Sequence, residues 1–253
     1  MQCPRETMSR RRLFWILSIV LMGLSVPAEV IQVDVRGLLT GRAVTTLTDG
    51  KIVPWTQGVD GGGRGDGYMT VEAAVANGDK NARALPGNGC FPATAAHPFV
   101  QLNFTNGDGQ GFQTRGVQGA GKFAFPVAGK RYEKMLVFLT SAEGPSRLHF
   151  KLAYADGSSE QRDVLLPDYY NDAPAGDPNV FSLATNLAKW DATGRMSEPS
   201  HHYLHGVDLH PDARKELISV DVAKTAPGYL VFWGATGVTG NSCKTTAIMF
   251  GMR

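Results

Sequence analysis

The clearest pattern of hydrophobic and polar positions lies in the middle of the chain, where three apolar segments are joined by short turns. Residues 135–139 form a continuous apolar run, which at this length is typical of a strand covered on both faces. Residues 147–154 alternate between apolar and polar side chains, as in a half-buried strand. An Asp-Gly pair at 156–157 then favours a tight turn, and residues 160–166 return as a partner strand. Together these segments predict a β-meander.

The same pattern of strands and glycine turns continues on both sides of this region. Residues 44–48 and 51–55 flank another Asp-Gly pair and predict a hairpin. Residues 69–76 fit a helix and a strand equally well, and the prolines between residues 77 and 98 argue against a regular helix there. Further strands are predicted over residues 30–35, 99–104, 203–209, 217–223, 229–235 and 245–250. The chain is therefore predicted to be all-β.

Residues 167–199 break this pattern. They combine large aromatic side chains with Asp, Asn, Pro and Gly, and no regular period is visible. Long irregular segments in compact domains are usually functional or disordered, and four large aromatics argue against disorder. We therefore expect a long functional loop here.

The N-terminal segment has the features of a secretory signal. Arg10, Arg11 and Arg12 precede a 14-residue apolar run, and small residues near Ala28 suit a signal peptidase. The run is short for spanning a bilayer, so cleavage is favoured over anchoring. A twin-arginine signal is the alternative. These features predict a signal peptide over residues 1–28, a secreted or periplasmic protein with no membrane contact after cleavage, and one β-domain over residues 29–253.

The charge balance of the predicted mature chain argues against a nucleic-acid partner. The whole chain has a net charge of +2, but residues 1–28 hold four Arg and one Glu. Their removal leaves 21 basic and 22 acidic residues, a net charge of about −1. Binding to phosphates requires a clustered basic surface, and the sequence contains none.

Two cysteines, Cys90 and Cys243, remain after removal of the signal. In an exported chain they most simply form one disulfide. Closing a loop of about 150 residues would stabilise the fold by roughly 4–5 kcal/mol in the chain-entropy model. Two buried free thiols are the alternative. The spacing of the cysteines does not suggest a zinc site.

The strand order across residues 99–250 resembles galactose-binding-like β-sandwiches, the jelly-roll domains that occur as carbohydrate-binding modules beside secreted glycosidases. The resemblance rests on the aromatic and apolar segments at 123–127, 136–139 and 148–154, the turn at 156–157, and residues 164–167. It implies an antiparallel β-sandwich that holds ligands on loops at one end, often with a structural calcium ion. Residues 29–98 would then be an N-terminal extension wrapped on the sandwich.

Aromatic residues of the predicted loop are candidates for a sugar-binding platform. Rings such as Tyr169, Tyr170 and Trp190 can stack on the C–H faces of pyranoses while polar groups bind the hydroxyls. Alternatively, these rings pin a long loop onto the domain. The neighbouring polar candidates are Asp168, Asn171, Asp172 and Arg195.

Histidines and glycine-flanked aspartates are candidates for other chemistry. His201, His202 and His205 form the densest imidazole cluster, but strand alternation would place His201 and His202 on opposite faces. A structural role is favoured there, with a metal or general-base role as the alternative. The glycine-rich segment 60–67 lacks the Lys-Ser/Thr pair of a P-loop, which argues against a nucleotide site. Asp60 and Asp66 are candidate calcium ligands.

These observations favour a secreted, non-catalytic protein that binds a glycan or polysaccharide. The ligand would contact Tyr169, Tyr170, Trp190, Asp172, Arg195, His201 and His202. One alternative is a hydrolase or lyase acting on polysaccharide with Asp or His residues of the 167–205 segment, since glycoside hydrolysis needs paired carboxylates. The candidate carboxylates are Asp168, Asp172, Asp177, Asp191 and Glu198. A structural or adhesive surface protein is the other alternative.

Overall fold

The computed structural model describes residues 28–61, 65–109, 111–225 and 227–240, together with the backbone of two short strands at 24–25 and 243–244. The chain divides into one unit of Met1–Pro27 with Asn241–Arg253 and a second unit, Ala28–Gly240. Apart from residues 24–25 and 28, the predicted signal peptide lies outside the described residues, as does the strand predicted over 245–250. None of the helices in the described residues is long and apolar enough to cross a membrane.

Strands dominate the described chain, with one short α-helix and one 3-10 helix. In chain order the elements are β1 (Leu24–Ser25), β2 (Val30–Gln32), the 3-10 helix (Arg36–Leu38), β3 (Val44–Thr48), β4 (Lys51–Val53), β5 (Tyr68–Met69), α1 (Val71–Ala76), β6 (Cys90–Phe91), β7 (Val100–Gln101), β8 (Arg115–Gln118), β9 (Gly121–Ala142), β10 (Ser146–Tyr154), β11 (Ser159–Leu166), β12 (Val180–Trp190), β13 (Met196–Asp208), β14 (Glu216–Lys224), β15 (Tyr229–Thr239) and β16 (Cys243–Lys244). In the first unit, β1 pairs antiparallel with β16.

The long strand β9 takes part in two antiparallel sheets of the second unit. Its first half pairs with β14 and completes the order β11-β10-β14-β9, which we call the β10 sheet. Its second half lies between β13 and β15 in the order β12-β13-β9-β15, which we call the β13 sheet. Strands β2 and β8 pair with the far edge of β15. The prediction of an all-β, antiparallel fold is confirmed, and the arrangement is compatible with a β-sandwich.

Hydrophobic side chains form one core on each face of the β13 sheet. Met135, Val137 and Leu139 of β9 belong to the first core, which also contains side chains of β10 and β14. Leu136 and Phe138, which point the other way, belong to the second core. The second core also contains side chains of the N-terminal segments, among them Val44, Tyr68, Leu85, Val100 and Phe104. Residues 135–139 are therefore covered on both faces, as their unbroken apolar pattern predicted.

The local turns agree with the sequence, but the predicted meander is wrong. Asp49 and Gly50 have φ angles of 49° and 73°, which suit the tight β3-β4 hairpin. Strand β10 pairs with β11 as predicted, yet its other neighbour is β14 and not β9. A strand from a distant part of the chain is thus inserted between two consecutive strands. Hydrophobic alternation identifies strands and carries no information on which distant strand pairs with them.

The irregular loop predicted over residues 167–199 is also corrected, since much of it is the hairpin β12-β13. The pairing of these strands shifts register four times, and Asn186 and His201 both have positive φ angles, at 55° and 68°. Such bulges interrupt the period-2 alternation from which strands are recognised. The undecided segment 69–76 contains helix α1, whose N-terminal amide at Ala73 is capped by the side chain of Thr70.

Among the described residues, the structure shows no disulfide at Cys90, which the sequence predicted to pair with Cys243. Cys90 is a half-buried free thiol, and its Sγ contacts the carbonyl oxygen of Asn88 at 3.5 Å. The side chain of Cys243 lies outside the described residues. The presence of two cysteines in a sequence with a predicted export signal favours a disulfide. It does not show that their Cβ atoms are close enough to form one.

Reduction is therefore expected to leave the melting temperature unchanged, because no cross-link constrains the unfolded chain. The measurement is a thermal melt with and without a phosphine reductant. In a Cys3→Ser variant that keeps Cys243, the native protein should also take up iodoacetamide at Cys90, as located by peptide mapping. A fall in melting temperature on reduction would contradict the free thiol.

Candidate functional site

A cluster of charged and aromatic side chains surrounds a lysine at the end of the β12-β13 hairpin. Its members come from three parts of the chain that are far apart in sequence. We call it the Lys189 cluster, and it comprises Asp60, Asp66, Tyr169, Tyr170, Lys189, Glu198, His201 and His202.

Backbone pairing brings these parts together. In the hairpin, Lys189 is the cross-strand partner of Glu198. The next residue, Trp190, exchanges two 2.9 Å hydrogen bonds with Gly67, which holds the loop bearing Asp60 and Asp66 against the hairpin. Tyr169 donates its amide to Ser141 of β9 at 2.7 Å, and its carbonyl accepts from Tyr203 of β13 at 2.8 Å. Backbone hydrogen bonds thus connect each of the three chain segments of the cluster to strand β9, β12 or β13.

The ammonium of Lys189 occupies the centre of the cluster. Its Nζ lies 2.7 Å from Asp60 Oδ2 and 3.1 Å from Glu198 Oε1. It also donates to the hydroxyl oxygens of Tyr169 at 2.9 Å and Tyr170 at 3.2 Å. Those hydroxyls donate onward, Tyr169 to Asp60 at 2.8 Å and Tyr170 to Glu198 at 2.6 Å. Only 6% of the Lys189 side chain is exposed, so these partners replace the water that a buried charge loses.

The two aspartates proposed as calcium ligands face this ammonium. Asp60 Oδ2 accepts from Lys189 and Tyr169, and Asp66 Oδ2 lies 3.8 Å from Lys189 Nζ and accepts from Ser197. Residue 65 lies close to Asp60: a Cβ there would be 1.3 Å from the carbonyl oxygen of Asp60, so glycine is required at this position. A lysine side chain thus supplies the positive charge for which a calcium ion was considered.

A bulge in β13 places two consecutive histidines beside one carboxylate. Lys189 pairs with Glu198 and Leu187 pairs with His202, so β13 contains two residues more than β12 between these pairs. His201 has a φ of 68°, a left-handed conformation that is uncommon outside glycine. The ring centroids of His201 and His202 are 5.1 Å apart, and both Nε2 atoms lie close to Glu198 Oε2, at 3.1 and 3.4 Å. The expectation that the two imidazoles would lie on opposite faces is wrong because of this bulge.

The surroundings fix the charge state of the cluster at neutral pH. Burial alone would lower the pKa of Lys189, but its bonds to Asp60, Tyr170 and Glu198 raise the pKa above its ordinary value. Burial opposes ionisation of Glu198, yet hydrogen bonds from Tyr170 and Lys189 lower its pKa to about 2. Burial raises the pKa of the Tyr169 hydroxyl and lowers the pKa of His202. Lys189 is therefore charged, Glu198 ionised, and Tyr169 and His202 neutral.

The chain matches no protein-family model and no curated protein. The interpretation of the cluster rests on its own geometry.

The structure separates the three rings of the predicted sugar platform. Trp190 is fully buried against helix α1 with Met69 and Ala73, and its indole N–H donates to Asp79 at 2.8 Å. Tyr169 is 2% exposed. Trp190 and Tyr169 are too buried to stack on a sugar, so the prediction that they form part of a sugar-binding platform is wrong. Tyr170 is 41% exposed and keeps an accessible ring.

The polar residues proposed beside the platform are dispersed. Asp172 is exposed and accepts from Ser182, while Arg195 extends from the β12-β13 turn towards Asp191. Asp168 caps local backbone, accepting from the amides of Gly144 and Tyr170. His201 is exposed beside Tyr170, with ring centroids 5.6 Å apart, whereas His202 is fully buried.

Lys189 was missed by sequence reasoning. A lysine in a polar, aromatic-rich segment resembles a solvated surface residue, and a cationic residue is buried only when distant partners compensate it. The sequence signal that pointed to this region was the density of aromatic and acidic residues in 167–205, together with the glycine-dense loop.

Proposed function

We propose that this chain is a carbohydrate-binding protein whose ligand contacts Tyr170 and the polar groups beside it. The observation that carries the proposal is the exposed, pre-oriented ring of Tyr170. Its hydroxyl is held by Glu198 at 2.6 Å and by Lys189 at 3.2 Å, and its ring packs on Tyr169 with centroids 4.5 Å apart. A ring fixed in this way loses little conformational freedom when a sugar stacks on it.

The surface around Tyr170 combines the two kinds of group that carbohydrate recognition uses. His201 extends the aromatic surface, and 54% of its side chain is exposed. Glu198, with 29% of its side chain exposed, offers carboxylate oxygens to sugar hydroxyls. The all-β framework and the resemblance to galactose-binding-like sandwiches support the same class of ligand. In this proposal the ligand-contacting residues are Tyr170, Glu198 and His201, and the previously predicted Asp172 and Arg195 are not among them.

The protonation states of the cluster favour binding over acid-base catalysis. An ionised Glu198 cannot donate a proton to a leaving group near neutral pH, and a charged Lys189 cannot accept one. Tyr169, whose pKa is raised, does not act as a base either. Glu198, with a pKa of about 2, is a weak proton acceptor, and Lys189, whose pKa is raised, is a weak proton donor. A hydrolase or lyase acting through this cluster would therefore have to use the imidazoles of His201 and His202.

The test is a glycan array followed by titration of the best ligand into the purified protein. Tyr170→Ala should weaken binding about tenfold or more, equivalent to about 1.4 kcal/mol of lost contact. The matched control is Phe112→Ala, which removes a 62% exposed ring that is not a member of the Lys189 cluster and should leave affinity within about twofold. If a glycan binds and its affinity is unchanged by Tyr170→Ala, the proposed site is refuted. If no glycan on a broad array binds, the proposed function is refuted. Glycan cleavage by the wild type would point to the enzyme alternative.

A further inference from the structure

We propose that Glu198, His201 and His202 form a binding site for a zinc-like divalent metal ion. One ligand atom from each of the three residues lies within 4.8 Å of the others. The Nε2 atoms of His201 and His202 are 3.1 and 3.4 Å from Glu198 Oε2. Two ligands held about 2.1 Å from a tetrahedral zinc ion lie about 3.4 Å apart, so these spacings suit one ion contacted by all three.

The strongest indication of a ligand comes from His202. The residue is fully buried, and within the described part of the chain its Nε2 has no hydrogen-bond partner although it lies 3.4 Å from Glu198 Oε2. Its Nδ1 contacts the carbonyl oxygen of Leu187 at 2.8 Å, and a carbonyl can only accept. The ring proton is therefore on Nδ1, and the lone pair of Nε2 faces the carboxylate. Two electron-rich groups face each other there, as they do when a cation binds between them.

The two carboxylate oxygens of Glu198 have different partners, and this arrangement suits a metal ligand. Oε1 accepts from Tyr170 and Lys189, which fixes the carboxylate, while Oε2 faces the two imidazoles. The ammonium of Lys189 would repel a metal ion, but Asp60, Asp66 and Glu198 bring three negative charges against its one positive charge. The unusual φ of His201 is also explained, because the bulge is what brings the second imidazole to the same oxygen.

The donor set defines the class of metal. Two imidazoles and one carboxylate are typical of zinc and similar transition ions, whereas calcium requires six to eight oxygen ligands. Three protein ligands would leave a fourth position for water, and the half-exposed His201 gives the group contact with solvent. Glu198 and His201 also belong to the proposed glycan-contacting set, but zinc binding can be measured without a sugar, so the two proposals can fail separately.

Calorimetric titration of the full, chelator-treated chain with zinc chloride alone tests the site. We expect saturation at one zinc ion per chain and no comparable heat with calcium chloride. His201→Ala and Glu198→Gln should each weaken zinc binding at least about tenfold, since each removes a ligand. His201→Ala is the safer variant for folding because that side chain is half exposed.

The matched control is His149→Ala. His149 is a half-exposed histidine whose Nδ1 lies 2.7 Å from the carboxylate of Asp163, and no metal-ligand group of three is found around it in the described residues. The His149→Ala variant should bind zinc with the same affinity as the wild type. Thermal melts of every variant check that each is folded. Three results would overturn the proposal: no zinc binding by the folded wild type, equal binding by His201→Ala and the wild type, or an equal loss in His149→Ala. Tight calcium binding abolished by Glu198→Gln would overturn the metal class.

Discussion

Replacing Lys189 with methionine is expected to lower the free energy of unfolding by about 3–5 kcal/mol, as when one partner of a buried ion pair is removed. Methionine keeps most of the length of the lysine side chain but removes the charge. Asp60, Asp66 and Glu198 would then face one another without the ammonium that lies within 4 Å of each. The measurement is urea unfolding followed by circular dichroism, with the slope compared between variants.

Lys130→Met is the matched control. Lys130 also pairs with a carboxylate at 2.8 Å, that of Glu29, but both side chains are exposed, and such pairs contribute about 0–1 kcal/mol. An Asp60→Asn, Lys189→Met double variant should be less destabilised than the sum of the two single changes, because the groups interact directly. Equal effects of Lys189→Met and Lys130→Met would mean that the ammonium is not buried among carboxylates.

The sequence predicted the strands well wherever alternation was regular. Strand β10 was recognised because one parity of its residues is apolar, and β3-β4 because an Asp-Gly turn separates two β-branched segments. In β9, an apolar run too continuous for a half-exposed strand correctly indicated burial on both faces. In each case the signal is local, since it depends on residues within about ten positions of one another.

The features that were missed depend on distant contacts or on backbone irregularity. Strand β14 pairs between β9 and β10 although it follows them by more than fifty residues, and no local pattern encodes that choice. The bulge at His201 reverses which face a side chain occupies, and sequence alternation assumes that no bulge is present. The burial of Lys189 depends on Asp60, which is 129 residues away. The region of the candidate site could be predicted from its unusual composition, whereas its geometry could not.

Trp190→Ala is the second change with a large expected effect, a loss of about 3–5 kcal/mol of stability, because it empties a fully buried aromatic site. The ring packs with Met69, Ala73 and Ala74 around helix α1, and its N–H is bonded to Asp79. The variant should therefore unfold at lower urea concentration and loosen the loop that pairs with residue 190. Urea unfolding and thermal melts measure both the lost free energy of unfolding and the cooperativity of the unfolding transition.

Two further variants separate a structural ring from a ligand-binding ring. Trp190→Phe keeps most of the buried ring and removes the bond to Asp79, so it should cost about 1–2 kcal/mol and leave any glycan affinity unchanged. Phe112→Ala, which truncates an exposed ring, should change stability by no more than about 0.5 kcal/mol. If Trp190→Ala instead retained wild-type stability and lost glycan binding, the ring would have to lie at the surface. The burial of Trp190 against helix α1 would then be incorrect, and Trp190 would return to the set of ligand contacts.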